Sequence, residues 1–133
     1  MIKRRSFIFA ALGVALLAVP LASAAWAAAE TPFSNEALQK AQAAGRPILI
    51  RVHAGWCPTC KAQEPILGEL TTQPKFKNLA VFRLDFDKQK AELKQLRAQS
   101  QSTLIVFKGA TEVGRSVGDT QKASIASLLD KAI

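Results

Sequence analysis

The stretch Trp56-Cys57-Pro58-Thr59-Cys60-Lys61 contains both cysteines of the chain, separated by two residues. It comes shortly after the apolar run Ile48 to Val52 and just before a segment in which apolar residues recur at helical spacing. Two thiols at this spacing, on a turn from a strand into a helix, can close into a disulfide ring and reopen, exchanging two electrons with another protein's disulfide. The stretch therefore predicts a dithiol redox module in an α/β fold.

A cysteine pair at this spacing has two other uses besides redox exchange. A purely structural disulfide over two intervening residues removes little chain entropy and so stabilises little. A zinc site needs four ligands, whereas the chain has no second cysteine pair and a single histidine, His53. The alternative that stays open is a non-catalytic binder, in which the two thiolates hold copper or an iron–sulfur centre, for example between two chains.

The N-terminal segment has the composition of a bacterial export signal. Lys3, Arg4 and Arg5 precede an apolar core from Phe7 to Leu21. Two triplets then fit the small-x-small cleavage pattern, Ala22-Ser23-Ala24 and Ala25-Trp26-Ala27. We expect residues 1–27 to be a cleaved signal and residues 28–133 to be the domain, located in the periplasm. The sequence at 4–8 partly resembles a twin-arginine motif, so both export routes stay open.

A retained membrane anchor is the alternative for this segment. No charged residue occurs from Phe7 to Ala29, and about 20 apolar residues suffice to span a bilayer. Pro20 and the alanine-rich end favour cleavage instead. With either outcome the redox domain is expected outside the cytoplasmic membrane.

Length and charge limit the remaining chain to one domain without a nucleic-acid surface. The 106 residues after Ala27 (133 minus 27) are enough for one compact core. Removing the three basic signal residues takes Lys plus Arg from 18 to 15 against 10 acidic residues, a balance of +5. These cations are scattered and no aromatic–basic stripe accompanies them, so nucleic-acid binding is not predicted.

Periodicity and turn residues predict the element order α-β-α-β-α-β-β-α. Ser34 is a candidate N-cap for the first helix, and Pro58 suits the first turn of the second, in which Pro65 should introduce a kink. The predicted helices span residues 34–44, 58–70, 88–98 and 124–133, and the predicted strands span 48–53, 79–86, 103–108 and 112–117.

These residues resemble the thioredoxin family. The cysteine stretch, with Pro65 five residues after Cys60, is similar to the family's active-site helix, and Phe107-Lys108 and Val117-Gly118 are similar to its terminal hairpin. The resemblance implies a thioredoxin-like α/β fold with a central mixed four-stranded sheet flanked by helices, the first thioredoxin strand being absent. It also implies a protein-disulfide oxidoreductase whose only redox group is the Cys57–Cys60 disulfide, with no other cofactor and no metal.

The position of each cysteine predicts its role. Cys57 would lie at a helix N-terminus, where unpaired N–H groups and the helix dipole favour a thiolate, so it is the predicted nucleophile. Cys60, one turn further and more buried, would resolve the mixed disulfide. Trp56 would cover one side of the sulfurs with its indole N–H bonded nearby, or would only pack in the core. The predicted supporting residues are Trp56, Pro58, Thr59, Lys61, Glu64, Arg51, His53, Ser102 and Thr103.

Two charged positions depart from the family pattern. Arg51 stands where thioredoxins have a buried aspartate that is thought to move protons, and arginine cannot act as a base. Glu64, one turn after Cys60, is the candidate proton acceptor or an ion-pair partner of Arg51, or else an exposed surface residue. His53 replaces an aromatic residue, and its imidazolium would lower the pKa of Cys57 if it lay nearby; otherwise it packs at the domain edge.

A third departure concerns the loop that faces the thiols. Ser102-Thr103-Leu104 matches a family sequence that begins with a cis-proline. A cis bond before a non-proline residue costs about 2.5–4 kcal/mol, so we expect a trans or rearranged loop here. In the family this loop shields the thiols from metals, so the loss of the proline keeps the metal-binding alternative open beside the redox interpretation. The Ser102 hydroxyl is a candidate donor to a cysteine sulfur.

The sequence leaves the direction of electron flow open. Pro58-Thr59 resembles the Pro-x dipeptide of glutaredoxins, whereas the breadth of the thioredoxin family favours a reductase. The expected substrates are cysteine-containing exported proteins, and the redox partner is a membrane-embedded electron donor, or an acceptor if the chain is an oxidase. We expect a monomer.

Overall fold

The computed structural model describes residues 29–133, so the predicted signal at 1–27 lies outside the described residues. The strands are β1 (Glu30–Pro32), β2 (Pro47–His53), β3 (Ala80–Asp85), β4 (Thr103–Lys108) and β5 (Thr111–Val117). The helices are α1 (Asn35–Ala43), α2 (Pro58–Thr71), α3 (Lys90–Gln95) and α4 (Lys122–Asp130), with a short 3₁₀ turn at Pro74–Phe76.

The five strands form one mixed sheet in the order β1-β3-β2-β4-β5. β3 runs parallel to both β1 and β2, whereas β4 runs antiparallel to β2 and β5. The predicted four-stranded sheet lacking a first strand is therefore wrong, because β1 pairs with β3 at the sheet edge. The strand is three residues long, exposed and ends in a proline, so neither alternation nor β-propensity indicates it in the sequence.

Local capping explains why the predicted helices form. The Ser34 side chain accepts a hydrogen bond from the Ala37 N–H at 3.1 Å and so caps α1. Gly45, at φ +67°, provides the left-handed turn after that helix. Pro58 occupies the first turn of α2, and Pro65 lies inside the same helix, as predicted.

The central strand β2 is buried on both faces. Ile48, Ile50 and Val52 pack against one side of the core with α1, while Leu49 packs on the other side under α2 and α4. Each fully buried aliphatic side chain of this kind stabilises the fold by about 1.5–3 kcal/mol. The buried strand thus fixes the position of the cysteine turn that follows it. Within residues 29–133, no helix is long and apolar enough to cross a membrane.

Candidate active site

The two cysteines are joined by a local hydrogen bond at the start of α2. Cys57 is the N-cap of the helix, and its Sγ accepts a hydrogen bond from the Cys60 N–H at 3.1 Å. Pro58, which follows the cap, lacks an N–H that would otherwise need a partner. The first turn of α2 therefore directs an unpaired backbone donor at the Cys57 sulfur, an arrangement that stabilises negative charge there.

Both thiols are free and shielded from solvent. Cys57 is 1% exposed and Cys60 is fully buried, so the difference in burial between them is small. They form a small cluster with Ala54, against which the half-buried Phe86 packs. A partner protein must therefore dock closely on this surface to reach the Cys57 sulfur.

Burial raises the pKa of the Cys60 thiol above its ordinary value. The hydrogen bond with Cys57 acts in the same direction, while the backbone N–H groups of Ala54 and Ser102 act in the opposite one. The thiol lies 3.8 Å from the Val52 carbonyl, to which it donates. Cys60 is thus protonated at neutral pH and must lose that proton before it can attack a disulfide.

Trp56 lies on the surface beside the thiols. Its side chain is 58% exposed, so the alternative of a purely core-packing tryptophan is wrong. Its indole Nε1 donates to Asp87 Oδ2 at 2.9 Å, and its ring meets Phe86 edge-on with centroids 6.3 Å apart. Asp87 was not identified from the sequence, because it lies 31 residues away and follows a different strand.

The loop that carries Asp87 is ordered by a neighbouring carboxylate. Asp85 Oδ1 accepts hydrogen bonds from the backbone N–H groups of Lys88 and Asp87, each at 2.9 Å. These bonds, led by that from Lys88, hold the pKa of the Asp85 carboxyl below its usual range. The negative charge of Asp85 thus fixes the turn after β3 and, with it, the position of the partner of Trp56.

Arg51 is a buried charge beneath α2. Its side chain is 4% exposed and pairs with Glu30 at 3.0 Å and with Glu64 at 3.5 Å. Within the described residues its Nε has no hydrogen-bond partner. Glu30 belongs to β1, the strand that the sequence did not indicate, and was therefore missed as a partner. Arg83, beside Arg51 on β3, contacts the same Glu30 carboxylate at 3.5 Å.

Glu64 is contacted by two basic groups. Its half-exposed carboxylate contacts Arg51 and lies 3.3 Å from His53 Nε2. Of the hydrogen bonds found within residues 29–133, none joins Glu64 to the Cys60 sulfur. Likewise, the described polar contact of the His53 side chain is with Glu64 and not with Cys57. The structure therefore brings Arg51, His53 and Glu64 together at one side of α2, where Arg51 and Glu64 form an ion pair.

Ser102 adopts an unusual backbone conformation in a trans loop. Residues 29–133 contain no cis peptide bond, as predicted for this loop, and Ser102 has a φ of +57°. Its hydroxyl donates to the Gln101 carbonyl at 2.6 Å, and so does not form the candidate bond to a cysteine sulfur. The short reach of the hydroxyl favours this adjacent carbonyl. The neighbouring Thr103 hydroxyl donates to the Ser100 carbonyl at 2.7 Å.

Gln63 was missed by the sequence analysis. It is fully buried, and its amide donates to the Ser102 carbonyl at 3.2 Å and to the Asp119 carbonyl at 2.9 Å. One signal existed in the sequence: Gln63 is polar but shares the buried face of α2 with Cys60, Leu67 and Leu70.

The described residues add no further ligand to the two thiols of the metal-binding alternative. Within residues 29–133, no group of three or more His, Cys, Asp or Glu side chains is close enough to hold a metal ion. The geometry offers two adjacent thiols: Cys57, whose sulfur accepts a hydrogen bond from the Cys60 N–H, and Cys60, which is protonated. This arrangement suits thiol–disulfide exchange.

The sheet order and the Cys-x-x-Cys turn at the N-terminus of α2 define a thioredoxin-like α/β protein. The sequence model of the family described as Thioredoxin matches residues 26–131. The chain is 34% identical to a thioredoxin of Chlamydia muridarum over 84 residues, or 63% of this chain and 80% of the relative. It is 29% identical to Thioredoxin Asp f 29 of Aspergillus fumigatus over 90 residues, or 68% and 82% of the two chains.

Solved structures agree with this assignment. The crystal structure of Trxlp from Edwardsiella tarda EIB202 is 44% identical, with a TM-score of 0.74, over 76% of this chain and 98% of that one. Thioredoxin O2 of Arabidopsis thaliana, in its oxidised state, shares the fold at 22% identity and a TM-score of 0.68, over 78% and 94% of the two chains. The chain belongs to the thioredoxin family, whose members are protein-disulfide oxidoreductases. The predicted α/β fold and enzyme class are thereby confirmed.

Proposed function

We propose that this chain is an exported thiol–disulfide oxidoreductase that reduces disulfides in other exported proteins. The observation that carries the proposal is the 3.1 Å hydrogen bond from the Cys60 N–H to Cys57 Sγ at the first turn of α2. It places a donor at the sulfur that must become a thiolate. Membership of the thioredoxin family supports cysteine-containing proteins as substrates.

The reaction proceeds by two exchanges. The Cys57 thiolate attacks one sulfur of the substrate disulfide, a mixed disulfide forms, and the other substrate sulfur leaves as a thiolate that takes up a proton. The Cys60 thiol then gives up its proton, and its sulfur attacks Cys57 Sγ and releases the second substrate thiolate. Two electrons pass from the dithiol to the substrate, and the chain is left with a Cys57–Cys60 disulfide.

The roles of the neighbouring residues follow from their contacts. Trp56, held by Asp87, offers an exposed aromatic surface for the docking partner, with Pro58, Thr59 and Lys61 on the adjoining turn. Glu64, one helical turn beyond Cys60 and half-exposed, is the proposed route by which the Cys60 proton reaches solvent. Arg51 and His53 orient the Glu64 carboxylate. Thr103 secures the loop that faces the thiols.

The cellular setting is proposed from the sequence of residues 1–27. We infer export to the periplasm, with signal cleavage as the first choice and an anchor at residues 7–29 as the second. A membrane-embedded dithiol donor would then restore the reduced chain, which acts as a monomer. Mass spectrometry of the protein from fractionated cells checks this: a chain that keeps residues 1–27 in the cytoplasm would contradict export.

Insulin reduction by the full chain tests the activity. The wild type should precipitate the insulin B chain in the presence of a small-thiol reductant, and Cys57→Ser should not. Equilibration in graded thiol buffers then measures the reduction potential of the Cys57–Cys60 pair. We expect about −270 mV for a reductase and about −120 mV for a disulfide donor. A wild type without activity and without a reversible two-electron transition would overturn the proposal.

A further inference from the structure

The loop that faces the thiols holds a strained residue at its centre. Ser102 is 5% exposed and has a φ of +57°, a conformation that residues with a β-carbon rarely adopt. Three hydrogen bonds hold its peptide groups. Its N–H donates to the Val52 carbonyl at 2.8 Å, and its carbonyl accepts from the Gly118 N–H at 3.0 Å and from the Gln63 side chain at 3.2 Å.

Gln63 is the only side chain among these bonding groups, and its burial is costly. Within residues 29–133 its Oε1 has no hydrogen-bond partner, so an acceptor stays unsatisfied inside the core. An apolar residue of similar size would avoid that cost on a helix face shared with Leu67 and Leu70. What Gln63 adds in exchange is its two donors, which join α2 to the carbonyls of Ser102 and Asp119.

The Ser102 N–H and the Cys60 thiol share one hydrogen-bond acceptor. The Val52 carbonyl accepts from the Ser102 N–H and also from the Cys60 thiol, which lies 3.8 Å away. When the thiol loses its proton, its own bond to Val52 is lost, and the Ser102 N–H, still bonded to the Val52 carbonyl, brings its positive end close to the negative sulfur. In the reduced chain this N–H already lowers the pKa of Cys60 against the effect of burial. A proline at position 102 would have no such N–H.

We propose that Gln63 and Ser102 form one positioning unit, in which Gln63 holds the Ser102 peptide so that its N–H stabilises the Cys60 thiolate. The inference rests on the proposed function for the resolving role of Cys60. In that step the Cys60 proton goes to solvent, the new bond forms between the two cysteine sulfurs, and the bond from Cys57 to the partner breaks. Gln63 and Ser102 touch no substrate in this scheme.

Titration of Cys60 in a Cys57→Ser background tests the unit directly, because thiolate absorbance at each pH reports Cys60 alone. Ser102→Pro removes the N–H donor of residue 102, and Gln63→Leu removes the side-chain hydrogen bond that holds the Ser102 carbonyl. Each should give about tenfold less thiolate at a given pH, the size expected for the loss of one hydrogen bond to a charged group. Ser102→Ala keeps the N–H and should titrate like its parent.

A matched control separates positioning from general destabilisation. Leu67→Ala removes core packing one turn further along α2 at a side chain that makes none of the hydrogen bonds to Ser102, and thermal unfolding ranks all variants by stability. Leu67→Ala should leave the titration unchanged. If Ser102→Pro does not fold, the Gln63→Leu titration decides.

The proposal is overturned if folded Gln63→Leu titrates like its parent, or if Ser102→Ala shifts the curve as far as Ser102→Pro. Failure of the proposed function would be seen separately, as absence of insulin reduction by the wild type. The titration itself needs no substrate, so the two failures are distinguishable.

Discussion

The Trp56 indole Nε1 and the Asp87 carboxylate are joined by a hydrogen bond of 2.9 Å, which ties the residue before Cys57 to the loop after β3. Trp56 stays 58% exposed in spite of this bond. The contact therefore orients an exposed aromatic side chain next to the thiols. Tryptophans held in this way are frequent anchors of protein–protein contacts.

Replacing Asp87 by alanine should free the Trp56 ring and raise KM for a protein disulfide several-fold. Stability should fall by no more than about 1 kcal/mol, because the bond is exposed to solvent. Insulin-reduction kinetics and urea unfolding measure the two effects. Asp130→Ala, which removes a carboxylate paired with Lys75, is the matched control and should leave KM unchanged. An unaltered KM in Asp87→Ala would argue against a docking role for Trp56.

Removing the buried charge of Arg51 should be strongly destabilising. Arg51→Ala deletes both ion pairs of a buried guanidinium and leaves Glu30 with Arg83 and Glu64 with His53, so we expect a loss of about 3 kcal/mol in the free energy of unfolding. Glu30→Ala should cost more than Glu64→Ala, because Glu30 is closer to Arg51 and less exposed.

Chemical denaturation of the three variants measures these losses. Arg46→Ala, at an exposed arginine bonded to the Asn78 carbonyl, serves as the control and should cost less than about 1 kcal/mol. A similar small loss in Arg51→Ala would show that the buried cluster adds little to stability.

The raised pKa of Cys60 predicts a stability that falls at alkaline pH. The folded state holds the Cys60 thiol proton more tightly than the unfolded state, in which a cysteine thiol titrates at about pH 8.5. The contribution is fully present below that pH and is lost as the pH rises towards the folded pKa. The reduced chain should therefore become less stable above about pH 8.5, as followed by urea unfolding.

The Cys60→Ser variant tests whether the Cys60 thiol causes this loss of stability at alkaline pH. The variant should lose much of the alkaline decline in stability, since serine does not ionise in this range. Oxidised wild type, in which the thiol is absent, should behave in the same way. A reduced Cys60→Ser chain with the full wild-type slope would assign the effect to another group.

The space around Gly114 and Gly68 predicts opposite effects of replacing each glycine by alanine. A Cβ at Gly114 would come within 2.8 Å of Leu128 Cδ1, so Gly114→Ala should destabilise the fold by about 1–3 kcal/mol. Gly68 lies in α2 with nothing within 4 Å of the added Cβ, so Gly68→Ala should stabilise the helix by up to about 1 kcal/mol. Thermal unfolding compares them, and equal shifts of the two midpoints would contradict the packing argument.

Most of the elements were predictable because their limits are set by nearby residues. Ser34 caps α1, and Pro58 begins α2. The predicted third helix was too long: it ends at Gln95, and Arg97 then adopts a φ of +56°, a left-handed turn that no glycine marks in the sequence. β1 was missed because edge pairing with β3, rather than its own side chains, makes it a strand.

By itself, the sequence determined the redox pair, because Cys57 and Cys60 meet within a single helical turn and depend on no distant residue. Only the tertiary structure decided the surroundings of that pair. It brought Asp87 to Trp56 across 31 residues and the Asp119 carbonyl to Gln63 across 56. It also turned the Ser102 hydroxyl away from the sulfurs and its N–H towards Val52. The physical reason is that burial and hydrogen bonding in a closed core depend on which segments the sheet places side by side.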